Sequence, residues 1–384
     1  MGMNLSLWRR RRVLQAALTL VPATVLAAEN GVSDNLVKLG MSGPLSGPNG
    51  AYGRAMKEGI EAHLANVNGR GGVHGRRLEL VALDDGYETE PAVANTRQLI
   101  EREKVFALLG FYGTSPTAAV LPVIEAAGVP LIGTISGAEV LRKPSLRHIF
   151  HLRASYGDET AAIIKNLVTV GIRRVAVLYQ DDGFGEAGLQ GVKRALEAHQ
   201  LAPVATAAVP RNAVDVSAAV AVIAKADAQA VVLVTLYRPT ANFIKQMRAA
   251  GASPFFVALS PVGTDQLIAE LGAEQTRGVQ VSQVIPRPWG DRLEVVREYK
   301  KVLTQYAKQV QFSYYGLEGY LNARLVTEAL ERAGRNLTRE RLMTALRAAP
   351  FDLGGYRVHF ANGSNAGSNY VEISVVGASG RILN

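Results

Sequence analysis

The chain has 384 residues, 48% of them apolar, which is enough for more than one packed core. It contains no cysteine, so disulfides, thiol chemistry and a lipid anchor on cysteine are excluded. The formal charge of +9 falls to about +5 when Arg9–Arg12 are set aside (38 basic against 33 acidic residues), a mild excess spread along the chain that does not mark a nucleic-acid binder.

In chain order, the basic block Arg9–Arg12 precedes an apolar run, Val13–Ala28, that closes on the small residues Val25, Ala27 and Ala28. This is the layout of a secretory signal peptide over residues 1–28, with cleavage expected near Ala27 or Ala28. The run has 16 residues and includes Pro22, short for a membrane span. Arg10 to Leu14 is compatible with twin-arginine export as well as with a plain Sec signal. No later run is long enough to cross a bilayer, so the expectation is an exported protein, periplasmic in a bacterium.

Strand and helix patterns then alternate. Strands are expected at Val37–Met41, Leu78–Leu83, Val105–Leu109 and Val129–Ile132, and helices at Tyr52–Asn68, Pro91–Glu103 and Pro116–Ala127. After a break the rhythm restarts: helices at Glu159–Val170, Glu186–His199, Val216–Ala226 and Thr240–Ala250 separate strands at Val175–Tyr179, Val204–Val209, Ala230–Thr235 and Phe255–Leu259. Val279–Val284 is read as a segment returning toward the first half. Helices follow at Asp291–Lys308, Tyr314–Ala333 and Arg339–Ala348, then strands at Tyr356–Phe360 and Tyr370–Val376. Apolar strands in βαβα alternation predict an α/β protein of two doubly wound parallel-sheet lobes joined by several close crossings. The expected division is 35–150 with 281–362 in one lobe and 151–280 with 363–384 in the other, crossing near His148–Ser155.

One stretch is the most informative. Leu108–Ala127 reads LLGFYGTSPTAAVLPVIEAA, a buried strand passing through a glycine turn into a helix. Pro116 suits the first helical position, which puts Ser115 at the N-cap with Thr114 before it. A helix start carries unpaired N–H groups and the positive end of a dipole, and two hydroxyls beside it suit a small carboxylate. The plain alternative is an ordinary N-cap with no ligand. In open parallel sheets ligands sit beyond the carboxyl ends of the strands, where this chain places glycines, hydroxyls and the aromatics Tyr52, Tyr112, Phe184 and Tyr237.

Several segments, taken in order, resemble the periplasmic solute-binding proteins of ABC importers of the branched-chain amino acid type: MSGPLSGPNGAYG (Met41–Gly53), NGRGGVHGRRLELVALDD (Asn68–Asp85), VFALLGFYGTS (Val105–Ser115), GVPLIGTISGAEVLR (Gly128–Arg142), VAVLYQDDGFGEAGL (Val175–Leu189) and LYRPTANFIKQMRAAG (Leu236–Gly251). The resemblance implies a type I periplasmic binding fold that closes on a small solute and delivers it to an inner-membrane permease. It places Thr114, with Ser115, on the ligand carboxylate and Ile135, Ser136 and Gly137 on the segment gripping carboxylate and amine. It also sets Tyr52, Phe184 and Tyr237 as cleft walls and Tyr156 at the lobe crossing. Tyr87 and Gly113 stand where some members pair cysteines, and Gly137 stands at a family threonine. Where amino-acid binders carry an acid against the ligand ammonium, this chain has Ser260. A hydrogen bond to a charged group contributes roughly 1.5–3 kcal/mol, so either Asp182, Asp265 or Glu318 replaces that acid or the ligand is a carboxylate without an amine, with an apolar or aromatic body.

Other motifs are weaker. Gly183–Gly188 fits GxGxxG after a strand, but Asp181 and Asp182 would repel a pyrophosphate and no acid closes the next strand, so no nucleotide or other cofactor is expected. The glycines are read instead as letting the backbone approach a small ligand. Asp84-Asp85 is read as a polar strand end, Glu318 as a possible solvated position, and His148 and His151 lack the company of metal ligands. No GxSxG, HExxH or P-loop appears, so no catalytic residue is assigned. A ligand-presenting sensor of the same fold is the alternative, with an exported enzyme a distant third.

Overall fold

Alternating apolar strands and amphipathic helices build two α/β lobes in a computed structural model that describes Met1 and residues 29–383. The leader expected at 1–28 and its cleavage lie outside the described residues. The first lobe runs β1 (Leu36–Gly43), α1 (Gly50–Asn68), β2 (Arg77–Asp84), α2 (Thr89–Glu101), β3 (Ala107–Leu109), α3 (Thr114–Ala127), β4 (Leu131–Ile132) and β5 (Ile149–Phe150). Its five strands are all parallel, in the order β2-β1-β3-β4-β5. Every residue of β3 and β4 is buried, as a sheet covered on both faces requires.

The second lobe runs α4 (Tyr156–Thr169), β6 (Val175–Asp181), α5 (Gly183–Glu197), β7 (Ala205–Pro210), α6 (Ser217–Ile223), β8 (Ala230–Val234), α7 (Tyr237–Ala249), β9 (Phe255–Ala258), α8 (Thr264–Leu271), α9 (Ala273–Thr276) and β10 (Gln280–Gln283). The chain then returns to the first lobe through α10 (Glu294–Tyr306), α11 (Tyr314–Ala333), α12 (Arg339–Ala348) and the hairpin of β11 (Phe351–Asp352) and β12 (Arg357–Val358). It ends in the second sheet with β13 (Glu372–Val376) and β14 (Ile382–Leu383), giving the order β14-β13-β10-β9-β8-β6-β7.

Three differences from the sequence reading have physical causes. The second sheet is not wholly parallel: β13 returns from the first lobe to pair antiparallel with β10, and a short turn then adds β14 antiparallel at the edge. The whole of β10 pairs with β9 and β13, so a lobe boundary at 280/281 cuts through a strand and the crossing comes after Gln283. The eight- and four-residue helices α8 and α9 are too short to show a readable period.

α11 is the spine of the first lobe. Its match to the expected bounds, Tyr314–Ala333, reflects 20 residues of helical apolar spacing ended at Gly334. It crosses α1 at backbone contact: a Cβ on Gly59 would lie 1.9 Å from the Gly316 carbonyl oxygen, and one on Gly319 2.2 Å from that of Met56. His63 of α1 is buried in this interface, 3.0 Å from Thr327 Oγ1 through Nε2. Burial, helped by Arg324 and Arg70, lowers its pKa to about 3.

Below an unfolded pKa near 6.5, the unfolded chain binds a proton that native His63 refuses. Its contribution is therefore intact above pH 6.5 and is lost as pH falls toward 3, at about 1.4 kcal/mol per pH unit. Thermal melts from pH 6.5 to 4.5 should show His63→Gln losing less stability than wild type by that slope, and parallel curves would rule the linkage out.

Candidate functional site

The start of α3 differs by two residues from the expected N-cap. Gly113 is the cap, at φ +90°, a conformation that other L residues strain to adopt. Thr114 and Ser115 are thus the first helical residues, and no side chain caps the helix. Tyr87 packs on Gly113 so closely that a Cβ there would lie 2.4 Å from its ring, which is why these two positions hold a large and a minimal residue. Thr114 is buried, and its hydroxyl lies 2.7 Å from Ser136 Oγ, with the Tyr156 hydroxyl nearby.

Ser115 takes a different role. It is half-buried, and its hydroxyl donates to Asp182 Oδ2 across the lobes at 3.0 Å and accepts from the Gly183 N–H. Asp182 Oδ1 meanwhile caps α5 by accepting from the Phe184 and Gly185 N–H groups. Ser115 therefore joins the two helix starts, and Asp182 is committed to protein donors.

The segment Ile135–Gly137 lies beside Thr114, with its carbonyls already engaged. Ile135 spends its N–H on Phe111 O and its carbonyl on Gly113 N, continuing the sheet. The Ser136 carbonyl accepts from Arg142 Nη2 at 3.1 Å; that of Gly137 accepts from Arg142 Nε and from Tyr156 N. Nη2 of the same guanidinium also reaches the carbonyls of Arg153 and Ala154, tying the grip segment to the crossing. Among the described residues the Ser136 and Gly137 N–H groups have no partner. A threonine at Gly137 is blocked, since a Cβ there would sit 2.5 Å from the Tyr156 ring.

At the crossing stands a buried charge network. Arg153 is 2% exposed and makes a fork with Glu318, Nε to Oε1 and Nη2 to Oε2, both at 2.9 Å. Burial works against its charge, but Glu318 more than offsets this and its pKa is raised. Its Nη1 reaches Ser260 Oγ at 3.4 Å. Ser260 in turn donates its N–H and hydroxyl to Glu159, which also receives the Ser282 hydroxyl at 2.6 Å. Burial pushes the Glu159 carboxyl up, against the opposing pull of Arg153 and these donors. Glu318 is thus buried and paired, not a solvated position. Asp265 lies against the start of α11, within 3.4 Å of Tyr314 N, with its pKa raised to about 7 by burial.

Arg153, Glu159 and Arg142 are the buried and part-buried charged groups of this region that the sequence reading does not single out. Signals existed for two of them. Arg153 interrupts the apolar crossing IFHLRAS, and Glu159 lies on the buried stripe of α4 with Tyr156, Thr160, Ile163 and Ile164.

The aromatic positions come together between the lobes. Tyr52 stacks on Tyr112 with centroids 5.2 Å apart and meets Tyr237 edge-on at 5.4 Å and Tyr315 at 4.8 Å, while Phe184 packs on Tyr156 at 5.4 Å. Tyr52 of the first lobe donates to Val262 O and accepts from Tyr237 N, both in the second. With Tyr237 Oη to Pro48 O and an Arg211–Glu88 ion pair, these contacts hold the lobes closed. Tyr356 staples the hinge, its hydroxyl within reach of Leu152 O and Val284 O.

The remaining motifs are structural. Gly185 and Gly188 give α5 access to its own sheet, where a Cβ would meet Gln180 O at 1.8 Å and Val234 Cγ1 at 2.3 Å, while Gly183 faces Ser115 and Thr114 across the lobes. Asp84 holds the turn at Leu45–Ser46 and Asp85 accepts from Ser42 and Tyr87 N. His148 pairs with Glu125, and His151 bonds Thr134 and Leu141 O. Among the described residues no group of three potential metal ligands occurs. A cavity of about 290 Å³ between Glu29, Arg76, Arg335 and Arg341 opens at the opposite, N-terminal ends of the strands.

The hydroxyl-bearing start of α3 stands at the seam of two lobes that the chain crosses after β5, β10 and β12. The periplasmic binding protein family matches residues 36–380. The chain belongs to that family. It is similar to a substrate-binding periplasmic protein from Ralstonia solanacearum, 35% identical with a TM-score of 0.85 over 90% of this chain and 99% of that one. An amino acid binding protein of Pseudomonas aeruginosa is 25% identical over 305 residues, 78% of this chain and 79% of that protein. A fatty acid ABC transporter substrate-binding protein from Thermomonospora curvata is 25% identical with a TM-score of 0.82, covering 93% of each chain. Membership makes this a binding protein of two lobes closing on a small solute between them.

Proposed function

We propose that this chain is the exported, periplasmic solute-binding component of an ABC importer, that it captures a small amino-acid-like or carboxylate solute, and that it hands it to an inner-membrane permease. The observation that carries this reading is the hydroxyl cluster of Thr114, Ser136 and Tyr156 at the uncapped start of α3. Those groups donate to a carboxylate, and the helix dipole favours its charge. Tyr52, Phe184 and Tyr237 would then cover the rest of the solute as the lobes close, with Ser115–Asp182 completing closure. The relatives named for amino acid and fatty acid binding share a carboxylate in their ligands, which supports the same anchor in this cleft.

The test is thermal shift of the chain beginning at Glu29, against aliphatic amino acids, their keto and fatty acids, aromatic carboxylates and amides. A ligand that binds only the native state at about 100 times its Kd adds about 2.7 kcal/mol, so a true ligand raises Tm by roughly 3–4 °C. No shift from any carboxylate, with the protein folded, would refute the reading.

A further inference from the structure

The floor of the cleft is rich in donors and poor in acceptors. On the donor side are the uncapped start of α3, the Thr114, Ser136 and Tyr156 hydroxyls, and the Ser136 and Gly137 N–H groups. Arg153 adds Nη1, whose protein contact is Ser260 Oγ at 3.4 Å, while Nε and Nη2 bind Glu318.

The acceptors that an ammonium needs are engaged. The Ser136 and Gly137 carbonyls face the Arg142 guanidinium. Both oxygens of Glu318 face Arg153, and those of Glu159 face Ser260 and Ser282. Asp182 holds the α5 N–H groups and Ser115, and Asp265 lies against the start of α11. An ammonium placed against Ser136 would meet no free carboxylate and would approach two guanidiniums of like charge.

Resting on the reading above that this cleft is the solute site, we infer that the ligand is a monocarboxylate with an apolar or aromatic body and no ammonium, and that Arg142 determines this selectivity by occupying the carbonyls an amine would use. The carboxylate then takes the hydroxyls and N–H groups at α3, and the body lies against Tyr52, Phe184 and Tyr237. Burying an unpaired charged group discriminates strongly, because nothing in the site replaces its lost hydration.

Calorimetry with matched pairs tests this: 4-methyl-2-oxopentanoate against leucine, and phenylpyruvate against phenylalanine, on the chain beginning at Glu29. The amine-free member of at least one pair is expected to bind at least about 100-fold tighter. An amino acid binding as tightly as or more tightly than its keto acid overturns the inference and leaves the cleft a solute site. Binding by neither member of either pair, together with silence across the wider carboxylate panel, overturns the solute-site reading and the inference with it. In Arg142→Gln, which releases the two carbonyls and removes a charge, the preference should shrink about tenfold; an unchanged ratio in the folded variant overturns the role of Arg142.

Discussion

Arg153→Met is expected to lower the melting temperature by roughly 5 °C, the cost being about 3–5 kcal/mol. The substitution keeps most of the side-chain volume but strands Glu318, whose side chain is 3% exposed and has both oxygens on the guanidinium. An uncompensated carboxylate in that place cannot regain its hydration without opening the hinge. Glu159 loses the attraction of the same charge, although Ser260 and Ser282 continue to serve it. Replacing both members of the pair removes the stranded charge along with its partner. Arg153→Met with Glu318→Leu should therefore recover most of the lost stability, since apolar isosteres commonly match a buried ion pair. Differential scanning calorimetry of the three proteins checks this. A single variant melting within a degree of wild type would mean that the pair is not desolvated as described.

Tyr52→Phe should weaken solute binding by at least about 30-fold while leaving the ligand-free melting temperature nearly unchanged. The Tyr52 hydroxyl is a lobe-to-lobe contact with two partners, donating to Val262 O at 2.8 Å and accepting from Tyr237 N at 3.1 Å. Tyr237 is the first residue of α7, so its N–H is one of the orphan donors of a helix start, and a residue of the other lobe satisfies it. With the lobes apart, water serves the N–H and the carbonyl equally well. With the lobes closed over phenylalanine, both are buried and unpaired at about 1–3 kcal/mol each. The variant thus penalises closure alone, and binding that depends on closure is weakened by the same amount. Stacking on Tyr112 survives, because the ring is retained. Calorimetric affinity, paired with small-angle scattering for the closed fraction, reads both quantities. Unaltered affinity would show that closure does not need this hydroxyl.

Much of the fold is legible in the residues because it rests on local pattern. The period of the apolar residues and Gly334 place α11 at its observed bounds, and the fully buried runs of β3 and β8 read directly as interior parallel strands. Where the residues mislead, a neighbour distant in sequence has intervened. Pro116 points to a cap at Ser115, yet Tyr87 presses on Gly113 and the helix starts there, at a positive φ open to glycine. The glycines at 183–188 fit a phosphate loop by spacing, and only the strands beneath α5 reveal that they serve helix packing.

The same division holds for the site. Sequence by itself determined the α/β class and the positions of the hydroxyl at 114 and the aromatics at 52, 184 and 237, since these follow from residue type and strand-end position; Ser136 and the missing acid at Ser260 stand out only through the family resemblance. Tertiary structure decided what those groups face. It committed Ser115 to Asp182 across the cleft, Glu318 to Arg153, and the carbonyls of Ser136 and Gly137 to Arg142. The charge balance of a buried site depends on which donor meets which acceptor once water is removed, and partners 165 residues apart, as Arg153 and Glu318 are, leave no trace in local periodicity.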